Sequence, residues 1–431
     1  MDPVTPQYRK MIYNSSIGNI LEWYDFGLFS IFSGLFSRLF FPASVGKAAM
    51  MGTFIVFAVG FLCRPIGALI FGYLGDTIGR AKTLRLSILM ISLPTLLVGV
   101  LPTYQQIGIM APIMLLVIRM WQGISIGGEY SGNLIYLAES APPNYRATYT
   151  SLACMGSNIG ILLAALAGMI IGNVFGDAIL ESFGWRIPYL FGGILCITIY
   201  YFRLNLAETK IFQELKQKNQ LAKNPIRETF KNNMPQLLRT LGLVCMGSTF
   251  YYFCFVYIPI FISQNNPGSI QSISATISIF IALMIILVPI AGFLCDRIGR
   301  RKMLLFNAFL ITTCTIPGFY FLQSHCYLFL MPVLLFFTVA SSLEQGTTSV
   351  AVIENFPPAA RYTGVSLGYN IGNGLLGGTV PLVCEWLASN TSMIIAPAIY
   401  IAMCGLLTGV IVFFFVPETR HMSLSFADTG T

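Results

Sequence analysis

Two stretches 220 positions apart spell nearly the same loop: GYLGDTIGRAK at 72–82 and GFLCDRIGRRK at 292–302. A second pair, ESAPPNYR from Glu139 and ENFPPAAR from Glu354, repeats at an offset of 215. Two matches at nearly one offset mark an internal duplication. Each copy lies between long apolar stretches. With 55% hydrophobic and 10% charged residues, the chain falls far below the roughly one quarter charged residues of a soluble domain. The duplicated unit is therefore half of a membrane protein. Two parallel halves around a central site form the architecture of many secondary transporters.

Hydrophobic runs predict an all-α membrane protein of twelve transmembrane helices in two pseudo-symmetric six-helix halves. The runs centre near 12–37, 49–75, 84–101, 108–138, 149–175, 186–204, 237–263, 271–295, 303–322, 326–352, 362–388 and 393–416. Residues 1–204 form the first half, 205–236 a polar linker and 237–431 the second half. The linker, AETKIFQELKQKNQLAKN in its middle, suits an amphipathic helix lying on the membrane. Of the 25 Lys and Arg, Arg38, Lys47 and Arg186 fall on one side, and Arg64 and Arg119 lie within spans. The other twenty share the opposite side with both termini. By the positive-inside rule that side is cytoplasmic, so the chain is expected in a cell inner membrane. The net charge of +8 is thus topological, and nucleic acid is not an expected partner. The ten cysteines are scattered, without a C-x-x-C pair, so neither a disulfide framework nor a metal site is expected. No nucleophile elbow or phosphate loop appears, so the chain is read as a non-enzyme without a cofactor.

In both repeated loops an acid, Asp76 or Asp296, ends a helix, and Gly79 or Gly299 allows a tight turn. Arg80, Lys82, Arg300 and Lys302 follow. An acid there can pair with a base or cap a neighbouring helix N-terminus. Glu139 and Glu354 can pair with Arg146 and Arg361, or with the first loops. The ten charged residues among these are the expected gate.

The twice-present G-x-L-x-D-x-x-G-R-x-K resembles the signature of the major facilitator superfamily. GNILEWYDFGLFS, RPIGALIFGYLGD, RMWQGISIGGEY, GWRIPYL and VPET resemble its metabolite:proton symporter branch. That branch holds proline/glycine-betaine, α-ketoglutarate, citrate and shikimate symporters. The resemblance runs from about residue 14 to 420. It implies alternating access around a central site.

Ionisable residues inside spans are functional candidates. Glu22 in the first span and Arg119 in the fourth lie at similar depth, about 15 Å in, and form an expected central pair. The fourth span also carries Gln122, Glu129, Tyr130 and Asn133 among several glycines. Too far along the axis to meet Arg119, Glu129 is expected to be free to take and release a proton. It is the first candidate for coupling, with Asp25 and Glu22 behind it. The resemblance places a base at Arg64, read either as a carboxylate receptor or as a partner for Asp25 or Glu129. Tyr251 and Tyr252 match a tyrosine pair in the proline/betaine symporters. With Trp23, Tyr24 and Trp121 they can hold a quaternary ammonium by cation–π contact. Tyr369, Asn370 and Asn373 add a polar wall in the eleventh span. Glu344, in the tenth span, has no assigned role. The expected function is a monomeric proton-coupled symporter of a small carboxylate-bearing metabolite or zwitterionic osmolyte, with proline or betaine favoured. A dicarboxylate symporter and an uncoupled facilitator are the alternatives.

Overall fold

The computed structural model describes residues 6–42, 47–265, 270–323, 327–391 and 393–425. Among these, nine helices are long and apolar enough to cross a bilayer. Three more complete the twelve spans. Pro6–Ile31 carries the charged Glu22 and Asp25, Tyr327–Glu354 forms the tenth, and 361–390 is interrupted by π turns at Gly372–Gly377. The second to ninth and the twelfth run over Ala49–Thr77, Arg80–Val100, Met110–Ser140, Pro143–Gly172, Leu180–Arg203, Met234–Ile262, Ala275–Ile298, Arg300–Leu322 and Ala396–Phe415. Lipid offers the backbone no hydrogen bonds, so each crossing must close its own, as these helices do. The first span ends at Ile31, sooner than its apolar run, and a short helix, Ser33–Phe40, follows.

The packing repeats with the sequence. The first span lies on the fifth and the seventh on the eleventh; the third lies on the sixth and the ninth on the twelfth. Between halves, the second span meets the eleventh and the eighth meets the fifth, the same contact made twice. Close approach falls where the fourth span carries glycine. A side chain at Gly127 would strike the backbone of Arg64 and Ala68 in the second span, and one at Gly123 would strike Gly60. Small residues set that distance, as membrane helix pairs require. Gly79 (φ 117°) and Gly299 (φ 110°) occupy a backbone region that L side chains rarely enter. The tight turn of both repeated loops depends on them.

The linker departs from expectation. It folds as two short helices, Lys210–Gln217 and Pro225–Asn232, separated by a turn and irregular chain. Both pack on the bundle face that carries the repeated loops. Phe212 and Leu215 are buried, and the Phe212 ring lies 5.1 Å from the Arg80 guanidinium. The apolar side of this segment therefore covers protein, not lipid. Nine cysteines are free thiols; Cys326, like His325, lies outside the described residues.

Candidate substrate site and gate

The repeated loops interlock the two halves at one face. The Asp76 carboxylate accepts the backbone N–H groups of Tyr362 (3.1 Å) and Thr363 (2.9 Å) and the Thr363 hydroxyl (2.9 Å). These are the first-turn donors of the eleventh span, where an anion complements the helix dipole. Asp296 repeats the arrangement on the fifth span with Ala147 N–H (3.1 Å), Thr148 N–H (2.8 Å) and the Thr148 hydroxyl (2.8 Å). The second motif crosses over. Glu139 accepts from Arg80 of its own half (3.3 Å) and Arg361 of the other (2.9 Å). Glu354 accepts from Arg300 (3.0 Å) and faces Arg146 of the other half at 3.5 Å. All eight side chains are buried.

Lys82 and Lys302 do not join in. Both are exposed, two residues beyond Arg80 and Arg300, and make no ion pair among the described residues. The signature lysines therefore stand apart from the interlock. A third repeated element joins it instead. Glu208 accepts the N–H groups of Arg80 and Ala81, and Thr209 donates to Glu139 at 2.7 Å. Glu418 and Thr419 do the same for Arg300, Arg301 and Glu354. The signal is an E-T dipeptide repeated at an offset of 210. Glu208 lies outside the spans, and its burial raises the carboxyl above its ordinary range.

Deeper in the bundle, the first-half charges pair differently from the sequence expectation. Arg119 meets Asp25 at 3.2 Å, not Glu22. Thr95 (3.0 Å) and Gln122 (2.9 Å) also donate to Asp25, and the Arg119 guanidinium lies 3.7 Å from the Phe29 ring centroid. Nor is Glu129 free. Arg203 grips both its oxygens, at 2.6 and 2.9 Å, and Ser87 donates at 2.5 Å. Arg203 closes the sixth span and turns inward from the boundary, where it also reaches the carbonyls of Ser15 and Leu84. Arg64 serves neither Asp25 nor Glu129. It has no ion-pair partner among the described residues and lies over the rings of Phe61 (4.3 Å), Phe26 (5.3 Å) and Trp23 (5.9 Å). Glu22 makes no ion pair among the described residues, with Arg64 and Arg203 attracting it only from a longer distance. It is 1% exposed, and neither of its oxygens has a hydrogen-bond partner among the described residues. One turn back, at Gly18, the first span lies directly against the Glu129–Arg203 pair.

That pair gives a stability test. Removing one member of a buried ion pair strands the other, at a cost of about 3–5 kcal/mol. Arg203→Met should lower the thermal midpoint in detergent strongly, and adding Glu129→Gln should recover most of the loss. Equal stability of the single and double variants would mean that the pair contributes nothing.

Between the halves lies a central cavity. Of the sequence candidates, Trp23, Tyr130, Tyr251, Tyr252, Tyr369 and Asn373 line it. Tyr130 and Tyr369 stack across the two halves with centroids 4.7 Å apart, and Trp23 meets Tyr130 edge-on at 6.1 Å. Tyr24 turns away to the sixth span, where its hydroxyl donates to the Pro188 carbonyl (3.2 Å). Asn370 bridges the halves through the Gly127 carbonyl (2.9 Å) instead of facing the cavity. Arg64, Arg119 and Gln122 line a separate, smaller cavity with Phe26, Phe57 and Phe61. Asn158, Ser248, Glu344 and Gln345 line the central cavity and were not among the expected binding residues. Asn158 donates to Gln345 across the halves at 3.0 Å.

Two helical halves, interlocked at one face around a cavity shared between them, have the architecture of a membrane transporter. The Major Facilitator Superfamily pattern matches residues 16–381, and the chain belongs to that family. It is 33% identical over 415 residues to the proline/betaine transporter of Escherichia coli K12, covering 93% of this chain and 83% of that one. It is 32% identical to the glycine betaine/proline/ectoine/pipecolic acid transporter OusA of Dickeya dadantii, covering 96% and 84%. In fold it resembles the proton:xylose symporter XylE bound to a bromodeoxyglucose, with a TM-score of 0.77 at 17% identity over 95% and 96% of the two chains.

Proposed function

We propose that this protein is a proton-coupled symporter that brings a zwitterionic osmolyte of the proline/betaine type into the cell. The observation that carries the reading is the central cavity: five aromatic rings drawn from both halves surround it, and no base lines it among the described residues. An aromatic box suits an alkylated ammonium. A dicarboxylate would need bases there, and Arg64 and Arg119 lie in the neighbouring cavity. The names of the relatives at 32–33% identity support the same substrate class.

The halves at 1–204 and 237–431 rock about the cavity as one monomeric chain, with 205–236 strapped over the interlock. The excess of Lys and Arg at the interlocked face favours placing that face and both termini in the cytoplasm, in an inner membrane. The geometry moves Glu22 to the front as proton carrier. Asp25 and Glu129 are each neutralised by an arginine, whereas a buried carboxylate without a partner is costly as an anion and gains most from a proton.

Uptake into proteoliposomes tests the reading. Radiolabelled betaine or proline should accumulate above equilibrium under an inward acid gradient and collapse to equilibrium with a protonophore. Equilibration indifferent to the gradient would leave an uncoupled facilitator, and accumulation of α-ketoglutarate alone would overturn the substrate class.

A further inference from the structure

The central cavity has one charged group among its described lining residues, and it is an acid. Glu344 lies on the tenth span and is only 7% exposed. Like Glu22, it forms no ion pair among the described residues, whereas Asp25, Glu129, Glu139 and Glu354 all do. A buried carboxylate normally has a base against it or abandons its charge. Gly247 of the seventh span provides the space: any side chain there would collide with the Glu344 carboxyl. A second-half acid is thus seated against bare backbone and lines a chamber whose walls include Trp23, Tyr130, Tyr251, Tyr252 and Tyr369.

An anion sharing one cavity with several aromatic rings is the chemistry of a cation site. Ring faces attract an ammonium through their quadrupoles, and a carboxylate adds a full charge within the same dry space. From this, resting on the symporter reading above, we propose that Glu344 is the specificity-determining counter-ion for the substrate's ammonium group. The substrate class is then an amine carrying a fixed or alkylated positive charge. Because Tyr130 and Tyr369 come from different halves, a cation held here draws both halves to itself. A substrate with two carboxylates and no ammonium would set like charge against Glu344 and be rejected.

Counterflow separates this role from proton transfer, since exchange of labelled for unlabelled substrate needs no net proton movement. In proteoliposomes, Glu344→Gln should raise the half-saturation for betaine exchange about a hundredfold, the scale of one ion pair in a partly screened interior. Glu344→Asp should stay within several-fold of wild type. Unchanged half-saturation in Glu344→Gln would overturn the proposal. So would intact exchange with lost accumulation, which would make Glu344 a proton carrier. A second probe works if no proline or betaine is transported, an outcome that would defeat the symporter reading alone. Tetramethylammonium should change the fluorescence of Trp23 in the purified wild type, read against a Trp23→Phe control, and not in Glu344→Gln. No response in wild type, or equal responses in both, would overturn the counter-ion role. Matching thermal midpoints for wild type and Glu344→Gln establish that the variant is folded.

Discussion

Glu22→Gln abolishes gradient-driven accumulation while leaving substrate exchange near wild type. One pH unit is worth about 1.4 kcal/mol per proton, so a one-proton symporter concentrates its substrate about tenfold per unit of gradient. The Gln variant should reach a ratio of one, and its uptake rate should lose its rise with external acidity. The side chain keeps its volume and gives up only its charge, so packing is preserved. Little stability should be lost either, because Glu22 makes no hydrogen bond or ion pair among the described residues, and Arg64 and Arg203 attract it only from beyond ion-pair distance. Asp25→Asn and Glu129→Gln behave differently. Each leaves a buried arginine, Arg119 or Arg203, without its anion, and each should lower the thermal midpoint as well as transport. Tenfold accumulation by Glu22→Gln would sink the assignment, and a selective loss of accumulation in a stable Glu129→Gln would return the role to Glu129.

The interlock between the halves was legible because it is written locally and twice. D-x-x-G-R-x-K and E-x-x-P-P-x-x-R contain both the acids and their bases, and duplication separates them from chance. The spans were legible from apolar runs, because lipid forces the backbone into helices wherever those runs occur. The central pairing was not. Glu22 and Asp25 are three residues apart, so depth along the helix barely separates them, and the rotation of the first span against the fourth decides that Arg119 meets Asp25. Arg203 stands at the end of a span among the boundary bases, and nothing local signals that its side chain turns inward to Glu129. The E-T dipeptides at Glu208 and Glu418 are too short to stand out until Arg80 and Arg300 are seen to need them. Trp23 and Tyr24 are neighbours on one helix, about 100° apart, and the rotation of the first span turns Trp23 to the cavity and Tyr24 to the sixth span.

Opening of the interlocked face should be shifted by Glu139→Gln and Glu354→Gln to nearly equal extents. Each acid joins an arginine of its own half to one of the other, and in the closed state all are shielded from water. Neutralising the acid strands the cross-half guanidinium, Arg361 or Arg146, while Arg80 and Arg300 keep Asp76 (3.3 Å) and Asp296 (3.1 Å); that penalty vanishes once opening hydrates the stranded group. Truncating a buried pair costs about 3 kcal/mol or more. Because that cost falls on the closed state alone, it moves the closed–open equilibrium about a hundredfold toward opening. Lys82 and Lys302 offer reporters, being exposed, on opposite halves and outside the network. Spin labels at K82C and K302C, in a chain whose native cysteines are replaced, should give one short distance in the parent. Either Gln variant should convert it to a longer, broader distribution. The double variant should add little, because an equilibrium already shifted a hundredfold has little closed population left to lose. An unchanged distance in both single variants would reduce the motif to a topological anchor. A shift in one only would mean that the two halves, though built alike, do not share the work of closure.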